Sequence, residues 1–126
     1  MSKSSPATPS PAELAILKHL WEEGPQSARE VQNAVSEETG WSYSTTRTLI
    51  SRMADKGLVS KQDVNGLAVF EAKVEKVSLM NRMIRDFAAN ILEIDGPLPA
   101  TAFAKSRFLS EEEAAQLSKL LEEGDE

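Results

Sequence analysis

Between Trp41 and Leu49 the chain reads WSYSTTRTL, in which Ser42, Tyr43, Ser44, Thr45, Thr46 and Thr48 surround one arginine, Arg47. Such residues are mediocre helix formers: serine competes for backbone hydrogen bonds and threonine loses rotamer freedom. Their chemistry is that of short groups that donate and accept hydrogen bonds at close range. Arginine adds a planar fork of donors that fits a phosphate or a guanine edge bidentately. Other chemistry is poorly served. The chain holds one histidine, His19, and no cysteine. His19 has no second ligand nearby, so no metal site or cofactor is expected. No Ser/His/Asp set, glycine-rich phosphate loop or HExxH motif is present, and an enzyme is not expected. The acidic run Glu111–Glu113 reads as a helix start.

The elements that must position the hydroxyl cluster are legible on either side of it. Ser10-Pro11-Ala12-Glu13 is a capping box with proline at the first helical position. Leu14, Leu17 and Trp21, flanked by Ile16 and Leu20, give that helix an apolar face, and Gly24-Pro25 stops it. Ser27-Ala28-Arg29-Glu30 is a second box, followed by Val31 and Val35 at helical spacing and by Gly40. A third helix starts near Ser42, with Leu49, Ile50 and Met53 as its apolar stripe, Thr46 at the preceding core position and Gly57 at the left-handed cap. LVSKQD and LAVFEA then flank Val64-Asn65-Gly66, a hairpin signal. Trp21 is expected in the core, and Trp41 is expected to pack at the entrance of the third helix.

Helix, helix, helix, hairpin is the order of a winged helix-turn-helix. In such folds the third helix enters the major groove of DNA, with its N-terminal residues at the base edges. Ser44, Thr45, Arg47, Thr48 and Ser51 project away from the stripe Thr46, Leu49, Ile50 and Met53. Hydroxyls there tolerate close approach and can bond phosphates or bases. Ser42 and Tyr43, at the helix entry, are further candidate DNA contacts, although Ser42 also suits helix capping. Arg52, Lys56 and Lys61 read as phosphate contacts. The wing tip Asn65-Gly66 carries no arginine for the minor groove.

Charge is distributed to match. The net charge is −6, yet residues 41–82 carry seven basic and four acidic side chains, while residues 83–126 carry four basic and ten acidic ones. DNA binding depends on charge at the contact face, not on the total. The acidic total and unarmed wing also fit a second reading, a winged helix that holds another protein and not DNA. Hydrophobic residues make up 40% and charged residues 27% of the chain, as in ordinary globular proteins. No stretch approaches a membrane span and the N-terminus lacks the apolar core of a secretory signal. With no cysteine to oxidise, a reducing cytoplasm is the expected compartment.

From Glu75 the period changes. Val77, Met80, Ile84, Phe87, Ile91 and Ile94 are spaced 3-4-3-4-3, an a/d heptad pattern ending at Asp95-Gly96-Pro97. Such a stripe needs a partner, either a later helix of the same chain or a second subunit. A short helix is expected around Ala100–Ser106. Ser110-Glu111-Glu112-Glu113 is a third capping box, opening an amphipathic helix with Leu117, Leu120 and Leu121 inward and Gly124 at its end. The fold class is mainly α with a small β-hairpin. A disordered tail (1–9) precedes a winged-helix domain (10–73) and a helical region (74–126).

The stretches ELAILKHLWEEGPQSAREV, TGWSYSTTRTLISRMADKGLV and FLSEEEAAQLSKLL resemble the penicillinase-repressor family, the BlaI/MecI/CopY type of bacterial transcriptional repressors, over roughly residues 10–122. The resemblance implies a homodimer that binds a palindromic double-stranded DNA operator and blocks transcription. Ser44, Thr45, Arg47 and Thr48 then correspond to recognition-helix contacts. The C-terminal region becomes a dimerisation arm, with Val77, Met80, Ile84, Phe87, Ile91 and Ile94, together with Leu117, Leu120 and Leu121, at the seam. Thr46 departs from the aliphatic residue usual in the family. Antibiotic-sensing members are cut at an Asn-Phe bond through a membrane sensor protease. The matching pair here is Ala102-Phe103, which keeps the phenylalanine and lacks the asparagine. Copper-responsive members carry a C-terminal cysteine cluster, which this sequence lacks.

Overall fold

The computed structural model of the chain describes residues 8–123. The expected tail falls largely outside the described residues, as does the expected helix stop at Gly124. The chain divides into two compact units, Met1–Val74 and Glu75–Glu126.

The N-terminal unit contains α1 (Pro11–Glu23), α2 (Ala28–Thr39), α3 (Tyr43–Asp55), β1 (Val59–Val64) and β2 (Leu67–Ala72). Both expected capping boxes form. Ser10 N–H donates to Glu13 Oε1 at 2.9 Å while Glu13 N–H donates to Ser10 Oγ at 3.2 Å. Ser27 and Glu30 repeat this at 2.8 and 3.1 Å. Each box satisfies two of the amide donors that a helix start leaves without partners. α3 is capped by Ser42 alone, whose hydroxyl accepts from Thr45 N–H at 3.1 Å. Its first turn holds no acidic residue.

Ile16, Leu17, Val31, Ile50, Met53 and Leu58 are fully buried and form the dry centre of this unit. The buried stripe of α3 is Thr46, Ile50 and Met53, whereas Leu49 is only half-buried. A stripe that keeps i, i+4 and i+7 is narrower than the sequence reading drew it. At the far end Lys56 is the cap and Gly57 takes φ 82°, with Leu58 N–H donating to Met53 O at 2.9 Å. Only a residue tolerant of the left-handed region closes the helix this way.

β1 and β2 pair antiparallel with Val64 opposite Leu67. The two-residue turn has Asn65 at φ 55° and Gly66 at φ 83°, as a primed hairpin turn demands. One pairing was not legible in the sequence. Gln26, between α1 and α2, exchanges two backbone hydrogen bonds with Phe70, at 2.9 and 2.7 Å. The hairpin is thereby fastened to the connection that precedes α2.

The C-terminal unit contains α4 (Lys76–Ile91), a 3₁₀ turn (Thr101–Lys105) and α5 (Glu111–Glu123). The third capping box forms, at 2.9 and 3.0 Å between Ser110 and Glu113. α4 ends at Ile91, three residues before the last member of the heptad. Glu93 turns into the left-handed region at φ 58° and Ile94 N–H donates back to Ala88 O at 2.9 Å. Ile94 therefore lies beyond the helix, a correction to the expected extent of the stripe. Val77, Ala100, Leu117 and Leu121 form a buried cluster, against which Met80, Ile84, Leu98, Phe103 and Leu109 pack. Lys76 ties the unit together, donating to Glu113 Oε1 at 3.0 Å and to Phe108 O at 2.7 Å.

Candidate nucleic-acid interface

The structure divides α3 into two chemically distinct faces. Thr46, Ile50 and Met53 are buried, and Ser44, Thr45, Arg47, Thr48, Ser51 and Arg52 are all exposed. Tyr43, Ser44, Arg47, Thr48, Ser51 and Arg52 line one shallow groove along the helix. Ser42, just before the helix, is exposed, and its hydroxyl serves as cap. The arrangement offers neutral hydrogen-bonding groups at the helix start and cations along its length, with the positive end of the helix dipole behind them.

The four cations singled out in the sequence do not behave alike. Arg47, Arg52 and Lys61 make no hydrogen bond or ion pair among the described residues, and all three are exposed. Lys56 is committed: its Nζ lies 2.8 and 2.9 Å from the two carboxylate oxygens of Glu13. Glu13 is only 4% exposed. Burial pushes its carboxyl up, but the Lys56 ammonium and the Ser10 amide outweigh that and hold it below the ordinary carboxylate range. Lys56 thus anchors the end of α3 to the start of α1. The sequence does not signal this internal role because the partners lie 43 residues apart, and Lys56 remains exposed beside it.

Two further placements bear on the surface. The guanidinium of Arg29 lies 4.0 Å from the centroid of the Tyr43 ring. Arg29 lies within the second capping box, and nothing in the sequence places it beside Tyr43. Thr46 Oγ1 is buried and has no hydrogen-bond partner among the described residues, which fits a threonine standing where the stripe needs an aliphatic group. Trp41 and Trp21 are half-buried, and the indole N–H of Trp21 donates to Val74 O at 2.9 Å. His19 Nε2 sits 2.7 Å from Gln26 Oε1, beside the backbone pairing of Gln26 with Phe70.

In the C-terminal unit the seam residues part company. Val77, Leu117 and Leu121 are buried in their own unit's cluster, and Met80 and Ile84 pack against it. Phe87, Ile91, Ile94 and Leu120 are exposed, together with Leu92. Only this second group is left uncovered for a partner. Ala102 is exposed and Phe103 half-buried within the 3₁₀ turn. Among the described residues no group of His, Asp or Glu could hold a metal ion, and no helix is long and apolar enough to cross a membrane.

The family model described as penicillinase repressor matches residues 9–123. The chain belongs to the penicillinase repressor family. This is a family of transcriptional repressors and not of enzymes. The chain is 23% identical over 112 residues to the methicillin resistance regulatory protein MecI of Mammaliicoccus sciuri, covering 89% of this chain and 91% of that protein. The MecI protein of Staphylococcus aureus (strain N315) matches with the same identity and coverage. Among solved structures, the DNA-binding domain of the repressor BlaI aligns with a TM-score of 0.52 and 23% identity, over 59% of this chain and 90% of that one. At this identity the likeness establishes the fold of the N-terminal unit, a winged helix.

Proposed function

We propose that this chain is a DNA-binding transcriptional repressor that acts as a homodimer on a palindromic operator. The observation that carries the reading is the exposed face of α3. It combines four short hydroxyls with Arg47 and Arg52, whose guanidinium groups have no partner among the described residues. Side chains of that kind present donors and acceptors to base edges and cations to phosphates, while nothing bulky obstructs a groove. Ser44, Thr45, Arg47, Thr48 and Ser51 are the proposed groove contacts. Arg52 and Lys61 are the proposed phosphate contacts, with Lys56, whose ammonium also pairs with Glu13, as the weakest of the three.

The homodimer rests on a second observation. Phe87, Ile91, Leu92 and Ile94 are large apolar side chains left exposed at and just after the end of α4, and exposed apolar patches mark interaction sites. A two-fold dimer through this set presents two copies of α3 to the two halves of a palindrome, about 34–36 Å apart or a multiple of that.

The direct test is fluorescence anisotropy with duplex DNA from upstream of the chain's own gene and a scrambled duplex, at two salt concentrations. A repressor prefers the first duplex, and its affinity falls steeply with salt because phosphate contacts release counterions. Equal, feeble binding to both duplexes, joined to salt-insensitive capture of a protein partner, would establish the protein-binding reading instead.

A further inference from the structure

Arg29 lies outside the recognition helix, yet its surroundings are those of an anion ligand. It is the second residue of α2 and is exposed. Its guanidinium rests on the Tyr43 ring at 4.0 Å, and it makes no ion pair or hydrogen bond among the described residues. A cleft of about 370 Å³ opens beside it between the start of α2, α3 and the hairpin. Arg29, Arg47 and Lys61 bring three positive charges to its lining and Asp55 one negative charge. Glu30 turns its carboxylate to the Ser27 amide in the capping box and forms no ion pair with Arg29.

Stacking has a consequence for the guanidinium. A planar cation lying on a ring keeps its edge, with its N–H groups, free for an anion. A loose arginine must be ordered when it binds, whereas one already resting on a tyrosine loses less freedom. The same stacking occupies one face of Tyr43, which lines both this cleft and the groove of α3. In helix-turn-helix docking the helix before the reader crosses the sugar–phosphate backbone.

We infer that Arg29, carried on the ring of Tyr43 and flanked by Arg47 and Lys61, binds a backbone phosphate of DNA. Tyr43 is the platform that positions this cation, and its hydroxyl does not read a base. The inference rests on the DNA-binding reading above and adds a contact from α2 to it.

The test uses the full chain, the upstream and scrambled duplexes, and anisotropy across a salt series. Arg29→Gln weakens binding to both duplexes by the same factor and flattens the plot of log affinity against log salt by about 0.9 per protomer, the value for one lost phosphate contact. Arg29→Lys retains most of the slope. Tyr43→Phe keeps the ring and so keeps the parent's salt slope and its preference between the duplexes. Tyr43→Ala weakens both duplexes alike, and combining it with Arg29→Gln costs less than the two separate losses together, as expected for residues acting as a unit. Arg29 is exposed, so Arg29→Gln melts with the parent; Tyr43 is half-buried, and the melting temperature of Tyr43→Ala separates a lost platform from a lost fold. An unchanged salt slope in Arg29→Gln overturns the inference. So does a Tyr43→Phe variant that loses its preference between the duplexes. If the parent chain itself shows no salt-dependent DNA binding, the repressor reading falls with it; if the parent binds and only the variants disagree, the repressor reading stands and this contact does not.

Discussion

Along α3 the exposed face is built from Ser44, Thr45, Arg47, Thr48, Ser51 and Arg52. At the end of α4 it is built from Phe87, at 56% exposure, and Ile91, at 64%. Both helices bury one stripe inside their own unit, and both leave a second face open. The open faces differ in what would satisfy them. Hydroxyls and cations are already well solvated, so they gain from a partner only if it offers matching donors, acceptors and negative charge. An exposed phenylalanine and isoleucine gain from any dry surface of the right shape, at roughly 25 cal/mol per Å² of apolar area removed from water. The first face therefore suits selective recognition of a polyanion, and the second suits association with a like apolar surface. The interiors differ in the same sense. Three helices and a hairpin give the N-terminal unit a continuous dry centre, while the C-terminal cluster centres on four buried residues, two of them on α5. A unit that small is marginal on its own, and covering Phe87 and Ile91 in a dimer would offset that.

The largest effect should come from charging the apolar face. Phe87→Glu combined with Ile91→Glu is expected to convert the dimer to a monomer in sedimentation and to reduce operator affinity by roughly 10²–10⁴-fold through lost bivalency. An unchanged sedimentation coefficient would mean that this face is not the seam. On the other helix, Arg47→Ala should cost about 1–3 kcal/mol on the operator and relax discrimination at one base pair. A uniform loss on operator and scrambled DNA would reassign Arg47 to phosphate.

The anchor behind α3 gives a change in stability. Glu13→Gln leaves the Lys56 ammonium against a neutral amide. It should destabilise the chain by about 1–3 kcal/mol in urea unfolding, below the full value for a buried pair because the lysine end reaches solvent. The depressed Glu13 carboxyl fixes the sign of the pH dependence. Its contribution is present at neutral pH and is lost as acidification passes below the ordinary glutamate value of ~4.3 and through the lower folded one. The parent should therefore lose stability on acidification faster than Glu13→Gln, and parallel curves would count against the pair. The smallest effect is in the opposite direction. Thr46→Val removes a buried hydroxyl without a partner and should raise stability by about 1 kcal/mol, with DNA binding unaffected. A loss of stability there would show that the hydroxyl is satisfied by a bound water.

Much of the interface was legible because its residues are consecutive. WSYSTTRTL stands out by composition, and the period of Thr46, Ile50 and Met53 says which side of the helix is dry. The ion pair of Lys56 was not legible for the complementary reason. Nothing local distinguishes it from Arg52, and only a carboxylate contributed by α1 makes it an internal anchor. Arg29 was missed because its partner ring belongs to the next helix. The heptad over Val77–Ile94 illustrates a third limit. Spacing reports which residues share a stripe, but not whether the stripe meets its own chain; here Val77, Met80 and Ile84 do, while Phe87, Ile91 and Ile94 stay exposed.

By itself the sequence determined the local events: three serine–glutamate capping boxes, the Asn-Gly turn, the apolar period of each helix and the glycine that closes α3. Each depends on groups within about four residues, where backbone geometry leaves few alternatives. Only the tertiary structure decided which like residues have unlike tasks. It bound Lys56 to Glu13 while leaving Arg47, Arg52 and Lys61 uncommitted, set Arg29 on Tyr43, and joined Gln26 to Phe70. It also buried Leu117 and left Phe87 open. These outcomes depend on distances between groups far apart in the chain, which are fixed when the helices pack and close those gaps to hydrogen-bond or van der Waals range.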